Sequence, residues 1–336
     1  MKIKVSIIIP NYNNARFLNQ CLESVTCQKI ENKEIIIVDD GSTDDSLNII
    51  QQFIELNPEI DIKLVCQDHL NAAIARNRGL ELATGDWVIF LDSDDMLEEG
   101  VLCHLAKVIE DSHNCIDLLI GNYRKIDEEG KILDERNFIQ KMQIINTKKN
   151  FSQLLEFDPV PSNKLYNLEL IKQYDLEWGD VKIGQDLDFF LKYLSVSKEA
   201  LLISNNIYKY RISSNSISRT YDLRIFDIVS VFADVKKYYI NNGNESLYEM
   251  YIPKLQLMHY NFQLSKQIFF ENRKTRRVVV DYFATNEKEI DYSSCVNVDK
   301  VMKKLRRKFR MKCAMKCLYT SNIYKKQKMR GKKNER

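Results

Sequence analysis

The chain has 336 residues, of which 44% are hydrophobic and 29% charged, with a net charge of +3. That is the balance of a soluble globular protein with one large or two modest domains, and no run approaches the ~18 apolar residues of a membrane span. Eight cysteines without C-x-x-C spacing and four scattered histidines argue against a disulfide framework, a zinc cluster or a His-built metal site, and for buried, reduced thiols.

The N-terminus "MKIKVSIIIP" is basic and then apolar, but its apolar run, Val5 to Ile9, is too short for a signal peptide and reads as a first strand ended by Pro10. Phe17, Leu18, Cys21, Leu22 and Val25 recur at helical spacing, which predicts a helix to about Cys27. "EIIIVDD" is a continuous apolar run, suited to a strand buried on both faces. Ser42 and Asp45 have capping-box-like spacing before a helix with stripe residues Leu47, Ile50, Phe53 and Ile54. "IKLVCQ", "AAIARNRGLELA" and "WVIFL" continue as strand, helix and strand, and a helix through Leu102, Leu105, Val108 and Ile109 precedes the strand "IDLLIG".

Such alternation predicts an α/β fold with a mostly parallel central sheet flanked by helices, and sheets of this kind bind ligands beyond the carboxyl ends of their strands. Two of these strands end in acids: Asp39-Asp40-Gly41-Ser42 and Asp92-Ser93-Asp94-Asp95. Residues two apart on extended chain point the same way, so Asp92 and Asp94 can aim their carboxylates together. Two such charges repel unless a cation joins them, and Mg²⁺ or Mn²⁺ would satisfy both. An acid cluster at a helix start is the plainer alternative, and Asp95 is read that way.

"VSIIIPNYNNARFLNQCLESV", "EIIIVDDGSTDDS", "AIARNRGLELATGDWVIFLDSDDML" and "GQDLDFFLKYL" follow one another along the chain. Together they resemble glycosyltransferase family 2, inverting enzymes with the GT-A fold, over roughly residues 3–220. The resemblance implies a nucleotide-sugar-binding half at 1–120 and an acceptor-binding half at 121–220. It makes Pro10 and Tyr12 base contacts, with Tyr12 stacking on uracil, and Asp40 the acceptor of the uracil N3–H. Asp39 lies beside it, and which of the two points inward stays open. Asp92-Ser93-Asp94 takes the place of the family D-x-D, Asp94 as direct metal ligand with Asp92, while Asp92 and Ser93 face the ribose and sugar. Arg76 falls near the donor sugar or diphosphate, with a solvated helix residue as the alternative.

The family's catalytic base corresponds to Asp186. Gln185 stands where the family more often has Glu, a departure that leaves the role of this position in doubt. Asp188, two residues further along the helix, reads as a surface acid. Lys164, in "SNKLYN", is a weaker candidate for the acceptor or its phosphate, with a surface lysine as the alternative. Arg211 and Ser216, in "YKYRISSNSIS", are placed near the site mouth. The implied donor is a UDP-sugar, the cofactor Mn²⁺ or Mg²⁺, and the acceptor a glycan or lipid-linked glycan of bacterial surface polysaccharide such as capsule or lipopolysaccharide. A nucleotidyltransferase is disfavoured because "PNYNNARF" lacks the Gly-rich basic loop after the first strand. A non-catalytic carbohydrate-binding protein on the same fold remains the other alternative.

A boundary is expected near Thr220, with a helical region at 221–300 and a tail at 301–336. That tail holds 15 Lys/Arg against one acid, Glu335, so residues 1–300 carry a net charge of −11. Met302, Leu305, Phe309 and Cys313 recur at helical spacing among the bases, the pattern of a basic amphipathic helix on an anionic membrane, with a nucleic-acid arm or a solvated, frayed tail as the alternatives. A cytoplasmic protein, peripheral on the inner face of the cell membrane and without a nucleic-acid partner, is the expectation.

Overall fold

The computed structural model describes residues 2–112, 115–213, 223–265, 273–291 and 293–295. Ser216 and the whole 301–336 tail lie outside the described residues. Apart from Leu223, the described residues form two compact units, one running to Glu245 and one beginning at Ser246.

The first unit opens with β1 (Val5–Asn11), α1 (Ala15–Thr26), β2 (Lys33–Asp39), α2 (Ser46–Leu56), β3 (Asp61–Cys66), α3 (Ala72–Leu82), β4 (Trp87–Phe90), β5 (Met96–Leu97) and α4 (Val101–Asp111). It continues with β6 (Leu118–Ile126), β7 (Ile132–Arg136), β8 (Gln143–Asn146), α5 (Phe151–Leu154), β9 (Lys164–Asn167), α6 (Leu168–Gln173), α7 (Gln185–Val196), β10 (Glu199–Arg211) and α8 (Asp227–Asn241). The strands form one sheet in the order β3-β2-β1-β4-β9-β6-β10-β5, with β7 beside β6 and β8 beside β10.

The two halves of this sheet differ. β3, β2, β1 and β4 run parallel, as strand–helix alternation requires. β9 enters antiparallel between β4 and β6, and the β7 and β8 pairings are antiparallel as well. The stretch 122–150, weakly patterned and polar in sequence, holds the end of β6 and two short added strands, β7 beside β6 and β8 beside β10.

The apolar runs behave as their composition demands. All seven residues of β1 are buried, since helices cover both faces. The α1 stripe Phe17, Leu18, Cys21, Leu22 and Val25 packs into the core. On the other face α3 lies close on β1, because a Cβ at Gly79 would come within 2.4 Å of Ile8 Cγ2. The Ser42 spacing does not cap α2: Asp45 precedes the helix, and the Ser42 hydroxyl donates to Asp39 instead, at 2.6 Å. Nor are the thiols mostly buried. Of the six described cysteines, none in a disulfide, only Cys21 is fully buried and Cys27, Cys66, Cys103 and Cys115 are exposed.

α8 belongs to the first unit. A Cβ at Gly184, before α7, would meet Val231 Cγ2 of α8 at 3.0 Å, and Lys192 on α7 pairs with Asp234. The second unit contains α9 (Glu245–Ser265) from Ser246 onward and α10 (Arg273–Lys288), joined through Tyr260 and Phe283, with ring centroids 5.6 Å apart. Among the described residues no helix is long and apolar enough to cross a membrane.

Candidate active site

The carboxyl ends of β1, β2 and β4 bring the first acids together. Asp39 is fully buried and committed to its own loop: it accepts from Asn11 Nδ2 (2.8 Å), the Ser42 amide (2.9 Å) and the Ser42 hydroxyl (2.6 Å). Asp40 is the acid that reaches the neighbouring loop, where Gln67 Nε2 (2.6 Å) and the Leu70 amide (2.9 Å) donate to Oδ1. Pro10 is buried in β1, and Tyr12 just beyond it is 44% exposed. Its ring stacks on His69, a residue that sequence patterning left among scattered histidines.

At the end of β4, Asp92 keeps an open carboxylate while Ser93 is buried and its hydroxyl accepts from Asn14 Nδ2 at 3.0 Å. Burial and the adjacent Asp92 charge push the Asp94 carboxyl up to about 6. Asp95 is no helix-start acid: α4 begins at Val101 after Gly100, and the buried Asp95 carboxylate accepts the Arg211 amide at 2.8 Å. Arg211 is also misplaced by the sequence reading. It is buried behind the D-x-D, where Nε donates to the Asp94 carbonyl (2.8 Å), Nη1 to the Glu128 carbonyl (2.8 Å) and Nη2 to Gln20 Oε1 (2.6 Å).

Arg76 joins the two ends of the site. It is 4% exposed, on α3, and reaches Asp92 just beyond the end of β4. Nη2 donates to Asp92 Oδ1 at 2.6 Å and Nη1 to Gln185 Oε1 at 3.2 Å, with Asp186 Oδ1 at 3.9 Å. Its guanidinium sits 4.5 Å over the ring of Trp178, an anchor whose only sequence signal was that tryptophan occurs twice in the chain. Trp178 in turn stacks on Phe189 of α7, so the aromatic pair fixes the helix relative to Arg76.

Gln185 and Asp186 open α7 behind Gly184, whose φ of +94° is the left-handed turn that aims both side chains at Arg76. Desolvation pushes Asp186 up to about 6 against the pull of Arg76, with Asp92 adding to the rise. Gln185 accepts from Arg76 and donates to the Val181 carbonyl, so the amide uses both of its ends to hold the guanidinium and close the preceding loop. Asp188 is not a surface acid. It is 1% exposed and paired with Lys192 at 2.7 Å, because Gly179 leaves it room inside the fold. Lys164 is not a surface lysine either: its ammonium is enclosed by the Asp158 carbonyl, the Val160 carbonyl and Asn163 Oδ1, each at 2.7 Å. Burial lowers it to about 7.

Asp92 and Asp94 suit a divalent cation. Both carboxylates stand just beyond β4, and Asp94 is raised first by burial and then by the Asp92 charge, a cost that a bound dication would offset. Among the described residues no group of three or more His, Cys, Asp or Glu is placed so that it could hold a metal ion. The protein would thus supply these two side chains and leave the remaining oxygens to water and diphosphate, as Mg²⁺ sites commonly do.

Comparison with known proteins bears on the family and the fold. The sequence model described as "Glycosyl transferase family 2" matches residues 6–175. Glycosyltransferase GlyG of Streptococcus pneumoniae is 32% identical over 244 residues, covering 68% of this chain and 78% of that protein. Glycosyltransferase GlyA of the same organism is 30% identical over 232 residues, 65% of this chain, which spans 32% of GlyA's length. The crystal structure of Staphylococcus aureus TarS residues 1–349 in complex with UDP-GlcNAc superposes with a TM-score of 0.61 at 18% identity, covering 91% of this chain and 92% of TarS 1–349. The family model spans half of the chain, and a relative at 32% identity covers 68% of it: this chain belongs to glycosyltransferase family 2 and has the GT-A fold.

Proposed function

We propose that the protein is a metal-dependent inverting transferase that moves a sugar from a nucleotide-diphosphate donor, UDP-linked, to a hydroxyl of a glycan or lipid-linked glycan. The observation that carries the reading is the Arg76 bridge, which ties Asp92 of the D-x-D to Gln185 and Asp186. It sets a donor-side carboxylate and a base candidate around one cation, the arrangement a displacement at a sugar carbon needs.

The base ring is read by Tyr12 and Asp40, beside Pro10 and Asp39, with Ser93 toward the ribose and sugar. When bound, Mn²⁺ or Mg²⁺ on Asp94 and Asp92 supplies Lewis-acid stabilisation of the departing diphosphate. Arg76 adds fixed positive charge on the same side. Asp186 takes the proton of the acceptor hydroxyl as its oxygen bonds to the sugar carbon, while the bond from that carbon to the diphosphate breaks and its electron pair leaves with the nucleotide. Gln185 positions Arg76. Lys164 supports the acceptor half from inside, holding residues 158–163 by three hydrogen bonds.

The donor assignment is supported by the UDP-GlcNAc complex of TarS, and the setting in surface-polysaccharide assembly by the family. The test is metal-dependent release of UDP from a panel of UDP-sugars by wild type and Asp94→Ala. Turnover of one donor by wild type, lost at least 100-fold in the variant, is the expected result. Glycan binding without turnover under any metal would instead make the chain a binding protein on a transferase fold.

A further inference from the structure

Tyr12 is exposed at the end of β1, yet one face of its ring is already covered. The His69 imidazole lies on it with centroids 3.9 Å apart and planes 20° from parallel. The same imidazole turns Nδ1 toward Asp40, 3.1 Å from Oδ2 and 3.3 Å from the carbonyl oxygen. Gln67 and Leu70 occupy Oδ1 of that carboxylate, so Oδ2 is the oxygen turned to the imidazole.

A nucleobase entering here would need two things: an aromatic face at stacking distance and a carboxylate oxygen for its in-plane N–H. One imidazole uses both. It is a flat heteroaromatic ring that stacks on Tyr12 and directs a ring nitrogen at Asp40. Its side chain is nonetheless 56% exposed, so it can rotate outward into solvent without repacking the core.

We propose that His69 is a built-in competitor of the donor base, holding the Tyr12 face and Asp40 Oδ2 until a nucleotide displaces it. The inference rests on the base-site reading above and goes beyond it by naming a residue that sets donor affinity and selectivity. A base gains entry only as far as its own stacking and N–H contact exceed those of the imidazole. The open fraction of the site scales the apparent affinity.

Isothermal titration of UDP with Mg²⁺ into the full chain tests this. His69→Ala should bind UDP about three- to tenfold more tightly than wild type. His69→Asn, which keeps an N–H donor for Asp40 but no ring, should fall between them. In NMR spectra of the histidine rings, the His69 protons should be shifted upfield by Tyr12, and UDP should return them to ordinary positions. Tyr12→Ala should do the same without ligand. Equal or weaker UDP binding by His69→Ala, with wild-type binding intact, overturns the proposal and makes His69 a wall of the base site or a bystander. No binding of UDP, GDP or CDP by either wild type or His69→Ala overturns the base-site reading itself, and this inference with it.

Discussion

Arg76 shows how much one side chain decides in this site. A buried guanidinium needs partners in its own plane, and those within reach are Asp92, Gln185 and Asp186. The glutamine where the family more often has glutamate then has a physical reading: Arg76 already faces two carboxylates, and the amide holds its geometry without adding a third. Asp186, pushed up to about 6 chiefly by desolvation, is matched to taking a proton near neutrality. Asp186→Asn should lower kcat by about 100- to 10,000-fold with donor affinity nearly unchanged, measured by UDP release and by titration with UDP. Because the proposed base would act as carboxylate, wild-type kcat/KM should be flat above pH 7 and fall about tenfold per unit below about 6. A flat profile down to pH 5 would remove Asp186 from the role.

At the scale of elements, buried charges fasten strand ends to one another. Arg211 closes β10 onto the D-x-D loop through the Asp94 carbonyl and the Asp95 carboxylate. Arg211→Lys keeps the charge but loses the planar fork, so Tm should drop by several degrees and the affinity for UDP with Mn²⁺ should weaken together with it. The opposite end of the sheet has its own fastening. Glu34 on β2 is fully buried and accepts from Ser6 Oγ (2.6 Å), Lys63 Nζ (2.8 Å) and both the amide (2.6 Å) and hydroxyl (2.9 Å) of Thr84. Burial alone would raise its pKa, but the bonds from Lys63, Ser6 and Thr84 outweigh it and hold the carboxyl at about 2, below the ordinary 4.5. Its folded pKa is the lower one, so its stabilisation is present above pH 4.5 and is lost as pH falls toward 2. Glu34→Gln should cost about 3 kcal/mol in urea unfolding at neutral pH. The difference from wild type should shrink at pH 3.

Across the whole molecule, charge is divided between an acidic body and a basic end: residues 1–300 carry −11, and the 15 Lys/Arg of 301–336 follow. We propose that this tail holds the enzyme on an anionic membrane, where lipid-linked acceptors would be concentrated. Flotation with vesicles containing phosphatidylglycerol should carry the full chain and leave a 1–300 truncation behind, with the difference vanishing in high salt. Equal behaviour of the two chains would sink the idea.

Much of the donor half was legible in sequence because its signals are local. Continuous apolar runs make β1, β2 and β4, helical spacing makes α1 and α4, and acids at the strand ends mark where a ligand would sit. The residues that pattern reading misjudged owe their roles to how the chain packs around them, whether the partner is near or far in sequence. Asp95 meets Arg211, 116 residues away, and Lys164 turns inward onto the carbonyls of residues 158 and 160. Asp188 looked like a solvated helix acid until Gly179 made room for it and Lys192 neutralised it. His69 carries no motif, and its importance comes from lying on Tyr12 and against Asp40. Composition and periodicity determine which segments are buried and which strand ends are acidic, since those depend on neighbours in sequence. Which buried charge meets which partner depends on distances that exist only once β9 has entered the sheet and α7 has turned toward α3, and that was decided by the tertiary structure.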